Sequence, residues 1–325
     1  MNAKTYPVVD LHCDTLTCAI ALSNGKSRLA QSAGQVDLPR LFAGGAMLQG
    51  FAIFAPAQPV EGLLPVGNTP RALFDASYSW YQRELSEQAA RIAPILRYAD
   101  IPRAGAGQKL GALLTLEDGA LCTDTAALHT LYAKGVRMMA LCWNFPNALG
   151  FPNSPNPQAM ARGLTPWGKE AVRRMQGLGI VVDISHLSDG GFYDVAALCD
   201  KPFIASHSNA RAVCDHPRNL SDAMLRALAG RGGITGLNFY SVLVNGSGYT
   251  AAADIVRHAL HIRNVAGIEA LAFGSDFDGS AWELEFADCA GYPALLREME
   301  RHFTPRELDL ISHQNALRVL RECME

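Results

Sequence analysis

Short apolar runs recur along the chain and are separated by stretches with helical spacing. The first, Val8-Val9-Asp10-Leu11-His12-Cys13-Asp14, reads as a buried strand. Seven more follow: Gly44–Phe54, Leu110–Glu117, Val136–Trp143, Ile180–His186, Pro202–His207, Gly233–Tyr240 and Ala270–Asp276. Between them lie segments with helix signals. Thr69-Pro70 opens a helical pattern reaching about Leu96, with Leu73, Tyr81, Leu85 and Ile92 pointing inward. Ala126 to Lys134 is helical and stops at Gly135, and Thr165-Pro166 starts a helix that runs to Gly177 or Gly179. Further helices are expected after Ser188, over Ser221 to Gly230, over Ala252 to Val265, and from Tyr292 onward, where Thr304-Pro305-Arg306-Glu307 matches a capping box. Thr15 to Pro39 reads as a long loop or short helix, and Gln58 to Asn68 as a Pro/Gly loop. Asn144 to Gly163, rich in Asn, Pro and Gly, reads as a long loop of the kind that covers a site.

Near-continuous apolar strands alternating with helices mean a parallel sheet covered by helices. Eight of them predict a single (β/α)8 barrel over residues 1–325, with C-terminal helices packed on it. A doubly wound open sheet is the competing architecture, but no GxGxxG follows the first strand.

Composition agrees with a large enzyme-like domain. Of 325 residues, 49% are hydrophobic and 18% charged, which suits a sizeable core and argues against disorder. A formal charge of −3 gives no basic surface for nucleic acid, and no 18-residue apolar run offers a membrane span. Eight scattered cysteines without a CxxC pair read as buried free thiols in a reducing cytoplasm.

In a barrel the functional residues sit at the C-terminal ends of strands. Here the first strand ends with His12 and Asp14, two apart and so on one side. The third ends with Glu117, the fifth with His186, the sixth with His207 and the eighth with Asp276. A single strand-end His is more often a packed, hydrogen-bonded residue than a ligand, but five such strand ends on one barrel face point to a metal centre. Imidazole and carboxylate without thiolate suit Zn²⁺, Mn²⁺, Fe²⁺ or Co²⁺. The donors exceed what one catalytic zinc needs, which points to two ions sharing a carboxylate. Such a pair acidifies a water and polarises a carbonyl at once, the chemistry of amide or ester hydrolysis. Cys13 lies between ligands and should turn away. His216 reads as exposed or structural, Asp278 as a supporting or turn residue, and Tyr240 as a substrate donor or packing residue. Arg218 is either a surface residue or a grip for a substrate carboxylate.

These residues resemble the membrane (renal) dipeptidase family of zinc peptidases, peptidase family M19, within the amidohydrolase-like barrels. The resemblance runs through Asp10-Leu11-His12-Cys13-Asp14, Leu116-Glu117-Asp118-Gly119, Leu164-Thr165-Pro166-Trp167-Gly168, Asp183-Ile184-Ser185-His186-Leu187-Ser188, Ser206-His207-Ser208-Asn209-Ala210, Pro217-Arg218-Asn219-Leu220, Asn238-Phe239-Tyr240 and Gly274-Ser275-Asp276-Phe277-Asp278-Gly279. It implies that His12 and Asp14 hold one zinc, His186 and His207 a second, and that Glu117 bridges both. It implies that Asp276 exchanges protons with the bridging water and the leaving amine, and that Arg218 binds the C-terminal carboxylate of a dipeptide, including dipeptides with a D-residue in second place. Two departures stand out. Where the family's well-studied animal enzymes have a substrate-binding His after strand four, this chain has Trp143, followed by Asn144, so Trp143, Asn144 and Tyr240 are the expected substrate wall. The family's Glu-Gly-Gly is Glu117-Asp118-Gly119 here.

The sequence-level expectation is therefore a two-zinc dipeptidase acting on small dipeptides, soluble and cytoplasmic, without nucleic-acid or membrane partners, and compatible with a homodimer. The animal enzymes' secretory signal and lipid-anchor tail are not seen. A related hydrolase of another small amide, N-acyl amino acid or lactam, and a non-catalytic binding barrel, are the rival readings.

Overall fold

Eight parallel strands close on themselves. They are β1 (Val8–Cys13), β2 (Ala46–Phe54), β3 (Leu110–Glu117), β4 (Met138–Ala140), β5 (Val181–Asp183), β6 (Ile204–Ala205), β7 (Ile234–Leu237) and β8 (Leu271–Phe273). Each pairs in parallel with the next, and β8 returns to β1 with Phe273 opposite Asp10. The longest ladder joins β2 to β3, from Leu48 opposite Gly111 to Phe54 opposite Glu117. Closure excludes the open sheet, and the fold is a (β/α)8 barrel. The structure is a computed structural model that describes residues 5–23, 26–60, 69–279 and 282–325. Most of the Gln58 to Asn68 loop lies outside the described residues.

The ladders of β4 to β8 are shorter than their apolar runs, pairing over two to four residues. The lost residues are those that carry chemistry. His186 and Asp276 both sit at φ 67, in the left-handed region, so the backbone leaves the extended path where their side chains turn inward. One expectation was wrong. The helix from Pro70 stops at Glu87 rather than near Leu96, and Ile92–Pro94 forms an extra strand paired in parallel with the start of β3. Ile92 is buried as expected, but in an extended segment; one apolar residue at helical spacing does not distinguish the two. Tyr249–Thr250 and Glu283–Leu284 form a separate two-stranded ribbon. Among the described residues no helix is long and apolar enough to cross a membrane, and all eight cysteines are free, six of them buried.

Inside the barrel, Val9, Leu48, Leu113, Met138, Val181, Ile204, Ile234 and Ala272, one from each strand, join a single apolar cluster. The helix Asn315–Met324 closes it with Ala316, Val319, Leu320 and Cys323. A π-helical turn over Leu310–Gln314 leads into that helix. Asn315 then fastens it by donating Nδ2–H to the carbonyls of Ile268 and Leu271, both at 2.8 Å. Near the opposite end, the Ser206 carbonyl lies against Gly236 and Gly274, where a Cβ would fall 2.0 and 1.7 Å from its oxygen. These two glycines let β6, β7 and β8 converge tightly enough to bring His207 inward.

One buried histidine stabilises the loops around the barrel mouth. His258, on the helix Ala252–Ala266, accepts from the Ala210 N–H at Nδ1 (3.2 Å) and faces the Val244 carbonyl with Nε2 (2.8 Å). The bond accepted at Nδ1 requires the neutral ring, with its proton on Nε2. Burial, outweighing the pull of the Val244 carbonyl, lowers its pKa from 6.5 to about 4. The folded state thus resists protonation while the unfolded chain accepts it near its ordinary value. The stability from this site is complete above pH 6.5 and declines as pH falls toward 4, by about 3 kcal/mol at most. The urea midpoint should fall across that window. A His258→Gln variant should be less stable at pH 7 and fall less steeply; an unchanged slope would show that another group governs the loss.

Candidate active site

The strand ends converge as expected. His12 Nε2 lies 3.3 Å from Asp14 Oδ2, 3.6 Å from Glu117 Oε2 and 3.7 Å from Asp276 Oδ1. His186 Nε2 and His207 Nε2 lie 3.0 and 3.6 Å from the other Glu117 oxygen, Oε1. Three overlapping triads result: His12, Asp14 and Glu117; Glu117, His186 and His207; His12, His207 and Asp276, each with donor atoms within 4.8 Å of one another. Cys13 packs in the apolar core instead, as expected.

The ring orientations are set by neighbours. Ser206 donates its hydroxyl proton to Asp183 Oδ2 at 2.5 Å. Its oxygen, 2.7 Å from His207 Nδ1, can then only accept, so His207 carries its proton on Nδ1 and leaves Nε2 bare. Asn144 Oδ1 does the same for His186, at 2.9 Å from Nδ1. Two bare nitrogens 3.1 Å apart, facing one carboxylate oxygen, cannot satisfy each other. This donor set fits a cation. Asp183 is itself held, accepting the Ser185 and Ser206 N–H groups at Oδ1, both at 2.9 Å. Across the barrel Asp10 repeats the device: Oδ1 accepts the N–H groups of His12 (3.2 Å) and Ser275 (3.0 Å), and Oδ2 accepts the Ser275 hydroxyl (2.6 Å). One carboxylate thus steadies the ligand His12 and the approach to Asp276.

The electrostatics are those of a crowded, dry site. Burial, with the nearby positive charge of His12 and Arg218, pushes His186 and His207 well below the ordinary histidine value, so both are neutral donors. Burial would lower His12 too, but the charges of Glu117, Asp14 and Asp276 outweigh it and raise it to about 10. Burial and the Asp14 charge push Glu117 well up. Burial is also the main reason that Asp276 rises to about 6, opposed by His12 and by the Asn238 amide, which donates to Oδ2 at 2.9 Å.

Above these groups opens a pocket of about 1160 Å³. Trp143, Asn144, Tyr240 and Arg218 all line it, together with Asp14, Glu117, His186 and Asp276. Asn144 has a role the sequence did not reveal, since it also orients His186. Tyr240 meets Trp282 at a tilt, ring centres 5.2 Å apart. Arg218 is buried, with Nη1 on Ser208 Oγ (2.9 Å) and Nη2 on the His207 carbonyl (3.0 Å), while Nε has no partner. Its loop is clamped by a two-pronged ion pair, Arg211 to Asp189, both contacts at 2.8 Å. Thr17 Oγ1 and Trp282 Nε1 are buried without partners as well, and both residues line the pocket. His216 lies on the wall and accepts the Arg218 N–H, and Asp278 secures Thr15 and Gln35 at the rim.

Sequence reasoning missed Asp10, Asp183, Ser206, Asn238 and Trp282 as parts of the site. Asp10 and Asp183 did leave a signal, since each is a lone carboxylate inside an apolar strand just before a ligand. If Ser206 fixes the His207 tautomer, Ser206→Ala should weaken metal retention against a chelator about 10- to 100-fold with the fold intact by circular dichroism. Unchanged retention would remove that role.

Comparison with known proteins agrees with this geometry. The profile of the family described as membrane dipeptidase (peptidase family M19) matches residues 3–325. Dipeptidase 3 of Mus musculus is 33% identical over 223 residues, which is 66% of this chain and 45% of that protein. A crystal structure described as dipeptidase AC, a metallopeptidase of family M19, superposes with a TM-score of 0.88 at 29% identity, covering 99% of each chain. A metallopeptidase from Rhodobacter sphaeroides, liganded with a phosphinate mimic of the dipeptide L-Ala-D-Ala, gives a TM-score of 0.87 at 27% identity, covering 98% of this chain and 100% of the other.

Proposed function

The chain belongs to the membrane dipeptidase family and is a hydrolase acting on dipeptides, and we propose that it works through two zinc ions on small dipeptides, those with a D-residue in second place included. The observation that carries this reading is the placement of Glu117, which offers Oε2 to the His12 side and Oε1 to His186 and His207. Glu117 would thus be shared between two ions, with His12 and Asp14 available to hold one and His186 and His207 the other. The phosphinate mimic of L-Ala-D-Ala on the Rhodobacter sphaeroides relative supports the substrate class. Eight free thiols support a reducing, cytoplasmic location.

Bound there, the ions would polarise the scissile carbonyl and acidify the water between them. The chain's own groups do the rest. Asp276, with its pKa raised to about 6 and one oxygen anchored by Asn238, takes a proton from the attacking water. As the C–N bond breaks, Asp276 returns that proton to the leaving amine. Arg218, which borders the pocket, would supply a charged grip for the substrate's terminal carboxylate, and the bonds to Ser208 and His207 fix its direction. Tyr240, held by Trp282, borders the same pocket and is placed to donate to substrate.

Purified protein should therefore carry about two metal ions per chain, and hydrolysis of dipeptides should vanish on chelation and return with zinc. Activity that survives complete metal removal would overturn the reading. Arg218→Met should cost about 10- to 100-fold in kcat/KM on substrates with a free C-terminal carboxylate and far less on the matching amides. Equal losses on both would deny Arg218 its part. A panel that adds N-acyl amino acids and lactams tests whether dipeptides are the preferred class.

A further inference from the structure

One wall of the pocket is aromatic. Phe54 ends β2 and Trp143 follows β4, and their rings meet edge to face with centres 4.8 Å apart. Trp143 also leans on Phe145 at 5.7 Å and reaches within 5.9 Å of the His186 ring. Phe54 and Trp143 both border the pocket, so an apolar surface stands directly beside a metal ligand.

The two rings come from separate segments, and one side chain ties these together. Asp118 is fully buried. Its Oδ2 accepts the Ala57 N–H at 2.9 Å, and its Oδ1 accepts Asn147 Nδ2–H at 2.6 Å. The backbone N–H of Trp143 bonds to the same carboxylate. Asn147 extends the tie, donating to the Leu141 carbonyl at 2.8 Å and accepting from the Leu149 N–H at 2.8 Å. A single carboxylate therefore pins the segment carrying Phe54 to the segment carrying Trp143. It does so from a backbone at φ 79, a conformation that favours glycine. An aspartate kept in that conformation is held by its contacts: Ala57, Asn147 and Trp143 tie the two segments, and the Ala120 N–H adds a local bond.

We propose that the Phe54–Trp143 wall is a specificity element that selects dipeptides bearing a large apolar side chain, and that Asp118 is the positioning residue that fixes it. The inference rests on the dipeptide reading given above. A polar or anionic side chain laid on these rings would lose water and gain no partner, whereas an apolar one gains contact area. The cavity, about 1160 Å³, is far larger than an alanyl dipeptide fills, so a small substrate leaves much of the available apolar contact unused. Fixing the wall in advance spares the ordering cost at binding, so the effect of Asp118 belongs in KM for large substrates.

The test is steady-state kinetics of the zinc-loaded enzyme on Ala-Ala, Phe-Ala and Ala-Phe, each with an L- and a D-configured second residue. Wild type should favour at least one phenylalanyl dipeptide over Ala-Ala by about tenfold or more in kcat/KM. Trp143→Ala should abolish most of that ratio. Asp118→Gly, free of backbone strain, should reduce it through a higher KM for the phenylalanyl substrate. If the glycine variant is insoluble, Asp118→Asn serves the same comparison, since it weakens the tie without removing the side chain. A wild-type enzyme that cleaves dipeptides without preferring the phenylalanyl ones overturns the wall's role. Variants that slow every substrate by one common factor overturn the positioning role of Asp118. Failure to cleave any dipeptide would overturn the parent reading, and this one with it, and would be recognised by activity on the N-acyl amino acids or lactams of the wider panel.

Discussion

Everything at the mouth of this barrel answers to one constraint: neutral imidazoles and ionised carboxylates must face the same small, dry volume without neutralising one another. Left to itself, such a cluster resolves its strain by moving protons, and His12 shows the tendency, driven up to about 10 by the acids around it. A divalent cation removes the conflict by giving the bare nitrogens and the carboxylate oxygens a common partner. The protein's task is to stop the donors from finding other partners first.

It does this one layer further out. Asp183, Ser206 and Asn144 fix which nitrogen of each ring is bare, and Asp10 with Ser275 steadies the backbone on the far side. These carboxylates are engaged by N–H and O–H donors and do not enter the site themselves. The left-handed backbone at His186 and Asp276 and the bare faces of Gly236 and Gly274 are the steric counterpart. Strand ends that continued as regular ladder would carry these side chains past the centre rather than into it.

How much of this was legible follows from what each feature requires. The barrel was, because eight apolar runs with helices between them leave few alternatives, and so was the cluster of candidate ligands, because a polar residue at the end of a buried strand stands out. The extra strand at Ile92–Pro94 was not, since a short apolar segment after a helix carries no period of its own. The tautomer-setting contacts were not, because Asn144 and Ser206 act through orientation, and composition does not encode direction. Asp118 was visible as a departure from the family pattern, but its effect was not. Only the fold shows that the residue beside Glu117 reaches two loops at once.

The apolar layer inside the barrel has a consequence for how the molecule comes to exist. Val9 and Leu11 lie near one end of the sequence, and Val319, Leu320 and Cys323, which complete the same layer, lie near the other. The ring of strands closes between the same distant regions, at Asp10 and Phe273. Contacts this remote in sequence form slowly, because a very long loop must be gathered before they repay its entropy. A growing chain would therefore expose an unfinished ring of strand edges until the last helix is available to seat. The donor groups at the mouth, which span β1 to β8, would meet only at the end of that interval.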